Sequence, residues 1–106
     1  MNGPAVTLWP GADAPTEAAL ESVLRAEGLA PEWWQNGPHD RYPTHRHTYH
    51  KVLFCLSGAI TFLLPDTGQR YDLGPGDRLD LPPRINHSAL VGPRGVRCVE
   101  APRWET

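Results

Sequence analysis

His45 and His47 lie two residues apart in the stretch Thr44-His45-Arg46-His47-Thr48-Tyr49-His50-Lys51. In an extended strand, side chains two apart point to the same face. Two imidazoles on one stiff piece of backbone form a nitrogen donor pair. Such a pair suits Zn, Fe, Ni, Cu or Mn better than Ca or Mg, which take oxygen. His50 has the wrong parity for that face and is expected at the surface or behind the ligands. Arg46 and Thr48 should point away, Tyr49 toward the mouth of the site, and His39 into solvent. A further lone histidine, His87, closes a second segment, Gly76-Asp77-Arg78-Leu79-Asp80-Leu81-Pro82-Pro83-Arg84-Ile85-Asn86-His87. It follows a Gly-Asp turn, a short strand and a Pro-Pro bend.

These two segments together resemble the two motifs of the cupin superfamily, G-x5-H-x-H-x3/4-E-x6-G and G-x5-P-x-G-x2-H-x3-N. In the first, covering about 45–58, His45, His47 and Gly58 match, with Lys51 where the family has Glu. In the second, about 76–91, Gly76, Pro82 and His87 match at the right intervals. Gly37 lies two residues too early for the leading Gly, Arg84 stands for Gly, and Val91 stands for Asn. The resemblance covers about residues 37–101. It implies an all-β fold, a jelly-roll β-barrel, with His45, His47 and His87 gathered around one divalent transition-metal ion. Three neutral imidazoles at about 2.0–2.1 Å leave positions open for water or a ligand. The alternative is three satisfied polar histidines at a barrel mouth with no metal.

The elements that must position these residues can be read from turns and alternation. Ala5–Trp9 is expected as a strand stopped by Pro10-Gly11. Asp13 or Thr16 can cap a helix beginning near Pro15, with Glu17 and Glu21 near its positive end and Gly28 as its stop. Leu20, Val23 and Leu24 make its apolar stripe, which should pack on the outside of the sheet. Glu32–Asn36 reads as a strand whose adjacent Trp33 and Trp34 face opposite ways. These tryptophans can serve core packing, a dimer interface or ligand stacking. His39–Pro43 is expected to be irregular. Short strands follow at Val52–Leu56, Ala59–Leu64, Gln69–Leu73, Arg78–Leu81, Asn86–Val91 and Val96–Ala101. Turns lie at Pro65–Gly68, Gly74–Asp77 and Gly92–Gly95. His87, Ala89 and Val91 share one face. About eight short strands punctuated by turns describe a β-sandwich or barrel; the cupin resemblance selects the jelly roll.

The 106 residues suit a single domain, and the 12 prolines and 10 glycines fall between apolar runs as turns. A net charge of −2 with interleaved signs gives no footprint for nucleic acid or an anionic membrane. No apolar run approaches the ~20 residues of a membrane span. The first residues, Met1–Val6, show no secretory pattern, so cytoplasmic residence is expected. Cys55 and Cys98 sit in apolar runs and read as buried free thiols.

Parity along the strand after the histidines turns Lys51, Leu53 and Cys55 inward. With Tyr49 and Ala89 they are the expected lining of a small-molecule pocket. A protonated Lys51 has no lone pair and cannot ligate a metal. It can turn toward a carboxylate or an anionic ligand, act as a neutral base or nucleophile beside the metal, or reach solvent at the rim. No Asp or Glu outside the turns stands out as a base. The resemblance therefore implies a small metallocupin holding one Fe, Mn, Zn, Ni or Cu ion and binding a small organic molecule. It could act as a dioxygenase, isomerase or related enzyme, with Lys51 as the candidate catalytic group. The alternative is a non-catalytic sensor of a sugar-like molecule. Pairing into a homodimer through sheet edges is expected.

Overall fold

A computed structural model describes residues 3–104. Met1 and Asn2 of the N-terminal stretch, and Glu105 and Thr106 of the tail, lie outside the described residues. The order of elements is β1 (Ala5–Thr7), α1 (Glu17–Ala26), β2 (Glu32–Asn36), β3 (Arg41–His45), β4 (His50–Leu64), β5 (Gln69–Leu73), β6 (Arg78–Leu81) and β7 (His87–Arg103).

Two long strands make the frame. β4 and β7 pair antiparallel from His50↔Arg103 to Leu63↔Ser88. The first half of β4 also carries β6, from Lys51↔Leu81 to Phe54↔Arg78, and its second half carries β5, from Ile60↔Leu73 to Leu64↔Gln69. β7 is divided in the same way: β2 lies along its second half and β3 along its first. Two sheets thus share β4 and β7, and they fold over one another where those strands bend. This is the jelly-roll arrangement, with α1 on the outside. The bends coincide with register shifts between Cys55 and Ser57 and between Gly58 and Ile60. Gly58 has φ +77, and a Cβ there would lie 2.0 Å from the Gly95 carbonyl oxygen, so only glycine fits this crossing.

The sequence reading divides each long strand in two; in the structure each is one continuous strand, although Gly92–Gly95 have no partners on β4. Gly58 and the segment Gly92–Gly95 act as bulges inside strands rather than as hairpin turns. His39–Pro43, expected to be irregular, contributes most of β3, because Arg41 and Tyr42 pair with Leu90 and Ala89. β1 ends at Thr7, two residues short of the expected stop.

The strand faces define two cores. Inside the barrel, Leu53, Cys55, Ile60, Phe62, Leu73, Leu79, Leu81, Ala89, Val91, Val96 and Cys98 are buried together. On the outer face, Val52, Phe54, Val99 and Ala101 bury against Leu20 and Leu24 of α1. Thr16 caps that helix, accepting from the Ala19 amide at 3.1 Å. Val23, placed on the apolar stripe by the sequence, is 40% exposed, so Leu20 and Leu24 alone form the buried ridge. At the far end of the helix, Glu27 accepts from Arg78 of β6 and Arg103 of β7 and ties the helix to the sheet. Trp33 faces the helix side and Trp34 the barrel interior, as adjacent strand residues must.

Candidate metal centre

His45 ends β3, His47 lies two residues beyond that end, and His87 opens β7, paired directly with His45. One nitrogen from each of the three rings falls within 4.8 Å of the others. Ring centroids are 4.9 Å apart for His45–His47, 4.3 Å for His45–His87 and 5.2 Å for His47–His87. The pair on one face therefore does not need a strand that continues through both residues. The amide of Arg84 donates to the His47 carbonyl at 2.7 Å, tying the second motif to the first beside the rings.

The backbone sets the tautomers. His45 Nδ1 lies 2.8 Å from the Pro43 carbonyl and His87 Nδ1 lies 2.9 Å from the Ile85 carbonyl. A carbonyl only accepts, so each Nδ1 carries the proton and each Nε2 keeps its lone pair. The Nε2 atoms of His47 and His87 are buried with no hydrogen-bond partner. Leaving such groups unmade costs stability unless something fills them. Burial pushes His87 down to about 4, opposed by its bond to Ile85 and aided by His45, Lys51 and His47. Burial, then Lys51 and His45, push His47 down to about 4 as well. Both rings are neutral at pH 7, the form that ligates. The donor set, the carbonyl-fixed tautomers and the orphaned nitrogens all fit a transition-metal ion.

Beside the rings lies a cavity of about 210 Å³. That is below the ~300–1,000 Å³ of sites for drug-sized molecules and suits a small ligand. His45, His87, Lys51 and Ala89 line it, together with Trp34, Tyr42, Ile60, Phe62, Glu32 and Glu100. Of the expected lining, Leu53 and Cys55 are buried in the barrel core and do not line this cavity. Tyr49 stands outside the cavity wall, stacked on His47 at 4.8 Å and against Trp104 at 5.0 Å. His50 points to the outer face and meets Asp80 at 3.0 Å, in a chain that continues to Arg78. His39 is exposed, as are Arg46 and Thr48.

Lys51 is buried in the cavity wall, its ammonium 3.4 Å from Glu100 Oε1. The same oxygen accepts from the Trp34 indole at 2.7 Å. Glu100 thus supplies the acidic group that the sequence reading does not find. The signal for it was faint: in Val96–Ala101 each face carries one charge, Arg97 or Glu100, so alternation alone does not say which turns inward. The two cysteines are free, buried and directly opposed on β4 and β7. The Cys55 thiol alongside, together with burial, pushes the Cys98 thiol up.

No protein-family model and no curated protein matches the chain. Solved structures do. A cupin-2 domain protein from Shewanella frigidimarina is similar at 16% identity, with a TM-score of 0.59 over 71% of this chain and 71% of that one. The polyketide cyclase RemF from Streptomyces resistomycificus is similar at 26% identity, TM-score 0.62, over 70% of this chain and 54% of that one. The DMSP lyase DddQ from Ruegeria pomeroyi is similar at 26% identity, TM-score 0.65, over 73% of this chain and 39% of that one. The chain therefore matches about half of the cyclase and less than half of the lyase. Its fold is the cupin fold, and its three-histidine cluster is a donor set that fits a transition-metal ion. Among the described residues no helix is long and apolar enough to cross a membrane.

Proposed function

We propose that the chain holds one divalent transition-metal ion on His45, His47 and His87 and binds a small organic molecule in the adjoining cavity. The observation that carries this reading is the convergence of three imidazoles, two with buried and unpartnered Nε2 atoms, beside a cavity of about 210 Å³. When bound, such an ion can polarise a carbonyl, orient a ligand or activate dioxygen. The protein's own residues do the rest. The Pro43 and Ile85 carbonyls hold two rings in the ligating tautomer. Trp34, Tyr42, Ile60 and Phe62 give the ligand apolar and aromatic surface. Lys51 and Glu100 supply the charged groups within reach of it. Likeness to a cyclase and a lyase, each at 26% identity, favours an enzyme over a passive store. Dioxygenase and isomerase chemistry both suit such a centre, and the fold does not choose between them.

Elemental analysis of the purified protein, followed by dioxygen-consumption and product screens with thiols, diketones and catechols, tests this reading. Metal with turnover is the expected result; a protein without metal contradicts it. Metal without turnover across the screens favours the second reading, a sensor of a sugar-like molecule, which the closed Lys51–Glu100 pair suits by offering binding groups already held in place.

Homodimerisation is part of the proposal. β1 and β2 end the strand path and leave sheet edges. Trp33 and Trp34 are engaged within the chain, so the spare apolar surface is Leu8, 69% exposed, and Trp104, 63% exposed. Light scattering in the micromolar range should give twice 11.8 kDa; a monomeric mass contradicts pairing.

A further inference from the structure

Lys51 stands where the cupin motif places a ligating carboxylate, and it is the only Lys or Arg lining the cavity that His45 and His87 also line. Its side chain is 10% exposed, so water does little to screen it. A fixed positive charge in that place works against a divalent cation on the imidazoles. The chain nevertheless carries a carboxylate in the same cavity, moved to another strand. Glu100 projects inward from β7, opposite Leu53 on β4 and Glu32 on β2. Its Oε1 meets the Lys51 ammonium at 3.4 Å and is held by the Trp34 indole at 2.7 Å. Glu32 is exposed and makes no ion pair with Lys51 among the described residues. Glu100 itself is outside the group of side chains gathered for a metal, which comprises the three histidines.

We propose that Glu100 is a positioning residue for the metal centre: anchored by Trp34, it tethers and offsets the Lys51 charge so that three neutral imidazoles can hold a divalent cation. Glu100 acts through Lys51 and not as a ligand. The pair, on two strands, leaves the cavity wall with no net charge set against the ion. This rests on the three-histidine reading given above.

The test is a cycle of four proteins, each stripped with a chelator and titrated with Co2+, following the visible absorption of the bound ion. They are wild type, Glu100→Gln, Lys51→Met and the double variant. Glutamine keeps the size of Glu100 and an oxygen for the Trp34 indole. Glu100→Gln should lose about tenfold or more in Co2+ affinity, the scale of residues that support a ligand shell. Lys51→Met should bind as well as wild type or better. The double variant, which removes both charges together, should recover wild-type affinity, a rescue that a purely structural role does not give. The proposal is overturned if Glu100→Gln binds like wild type, or if the double variant is as weak as Glu100→Gln alone. If Glu100→Gln does not fold, comparing wild type with the double variant decides the matter, and a tenfold loss in the double variant contradicts the proposal. A wild type that takes up no Co2+ contradicts the three-histidine centre itself, whereas a wild type that binds with a flat cycle contradicts only the role of Glu100.

Discussion

The two polar walls of the cavity are finished differently. On the imidazole wall, Nδ1 of His45 and of His87 is tied to a backbone carbonyl while the Nε2 atoms of His47 and His87 meet nothing. On the opposite wall, Lys51, Glu100 and Trp34 satisfy one another. Buried polar groups in folded proteins are partnered almost without exception, so an unpartnered pair on one wall marks where a ligand belongs. The wall with its own partners sets charge and shape. The outer face of the same sheet gives a third case: His50, Asp80, Arg78 and Glu27 form a closed chain there. Burial acts to raise Asp80, yet its bonds from Arg78 and His50 hold it below the usual carboxylate value. That network ties helix to sheet and leaves nothing for a ligand.

The strongest way to separate the walls is to damage what lies beneath one of them. Leu53 is fully buried two residues from Lys51, under the Lys51–Glu100 wall. Leu53→Ala should cost about 2–5 kcal/mol in denaturant unfolding. It should leave metal stoichiometry unchanged, because the imidazoles stand at the end of β3, just beyond it and at the start of β7. Loss of metal with stability intact would show that Leu53 supports the imidazoles directly and not only the core.

The imidazole wall should also show itself in the pH dependence of the metal-free protein. His47 and His87 titrate near 4 in the folded chain against 6.5 ordinarily. The unfolded chain therefore binds more protons between about 6.5 and 4, and stability falls as pH drops through that window. His87 alone accounts for about 3 kcal/mol at about 1.4 kcal/mol per unit. Glu27, Asp72 and Asp80 are held below their ordinary values too, so their contribution is lost only at lower pH. Urea unfolding of the chelated protein between pH 7 and 5 checks this, and a flat profile contradicts neutral, buried imidazoles.

The smallest effect concerns backbone. Arg84 sits at φ 62, where the family motif has glycine, and so does His39, the position at which the motif's leading glycine falls. At these two departures from the motif a residue other than glycine sits on left-handed backbone. Arg84→Gly should relieve strain but loosen the unfolded chain, for a net gain of about 0.5 kcal/mol or less. Thermal unfolding measures it. A clear loss would mean that the Arg84 side chain supports the site.

What could be read beforehand follows from the range of the interactions. His45, His47 and His87 announced themselves because ligand spacing is local and the two motifs are short. The faces of His87, Ala89 and Val91, and of Ile60, Phe62 and Leu64, followed from strict alternation. Alternation failed where bulges reset it. Between Cys55 and Ile60, and across Gly92–Gly95, the inward parity of β4 and β7 changes, which hides the direction of Glu100. The Lys51–Glu100–Trp34 contact joins three strands far apart in sequence, and no local pattern encodes it. Two residues of bend after His47 set Tyr49 against the His47 ring, a contact that strand parity does not encode.

The central claim is that His45, His47 and His87 hold one ion per chain. The most direct measurement is exhaustive dialysis of wild type and His87→Ala against metal-free buffer, then elemental analysis of both. Wild type should retain one transition-metal ion per chain, and His87→Ala should retain almost none, since two imidazoles hold an ion poorly against water. Stoichiometric metal in His87→Ala, or none in wild type, would contradict the account.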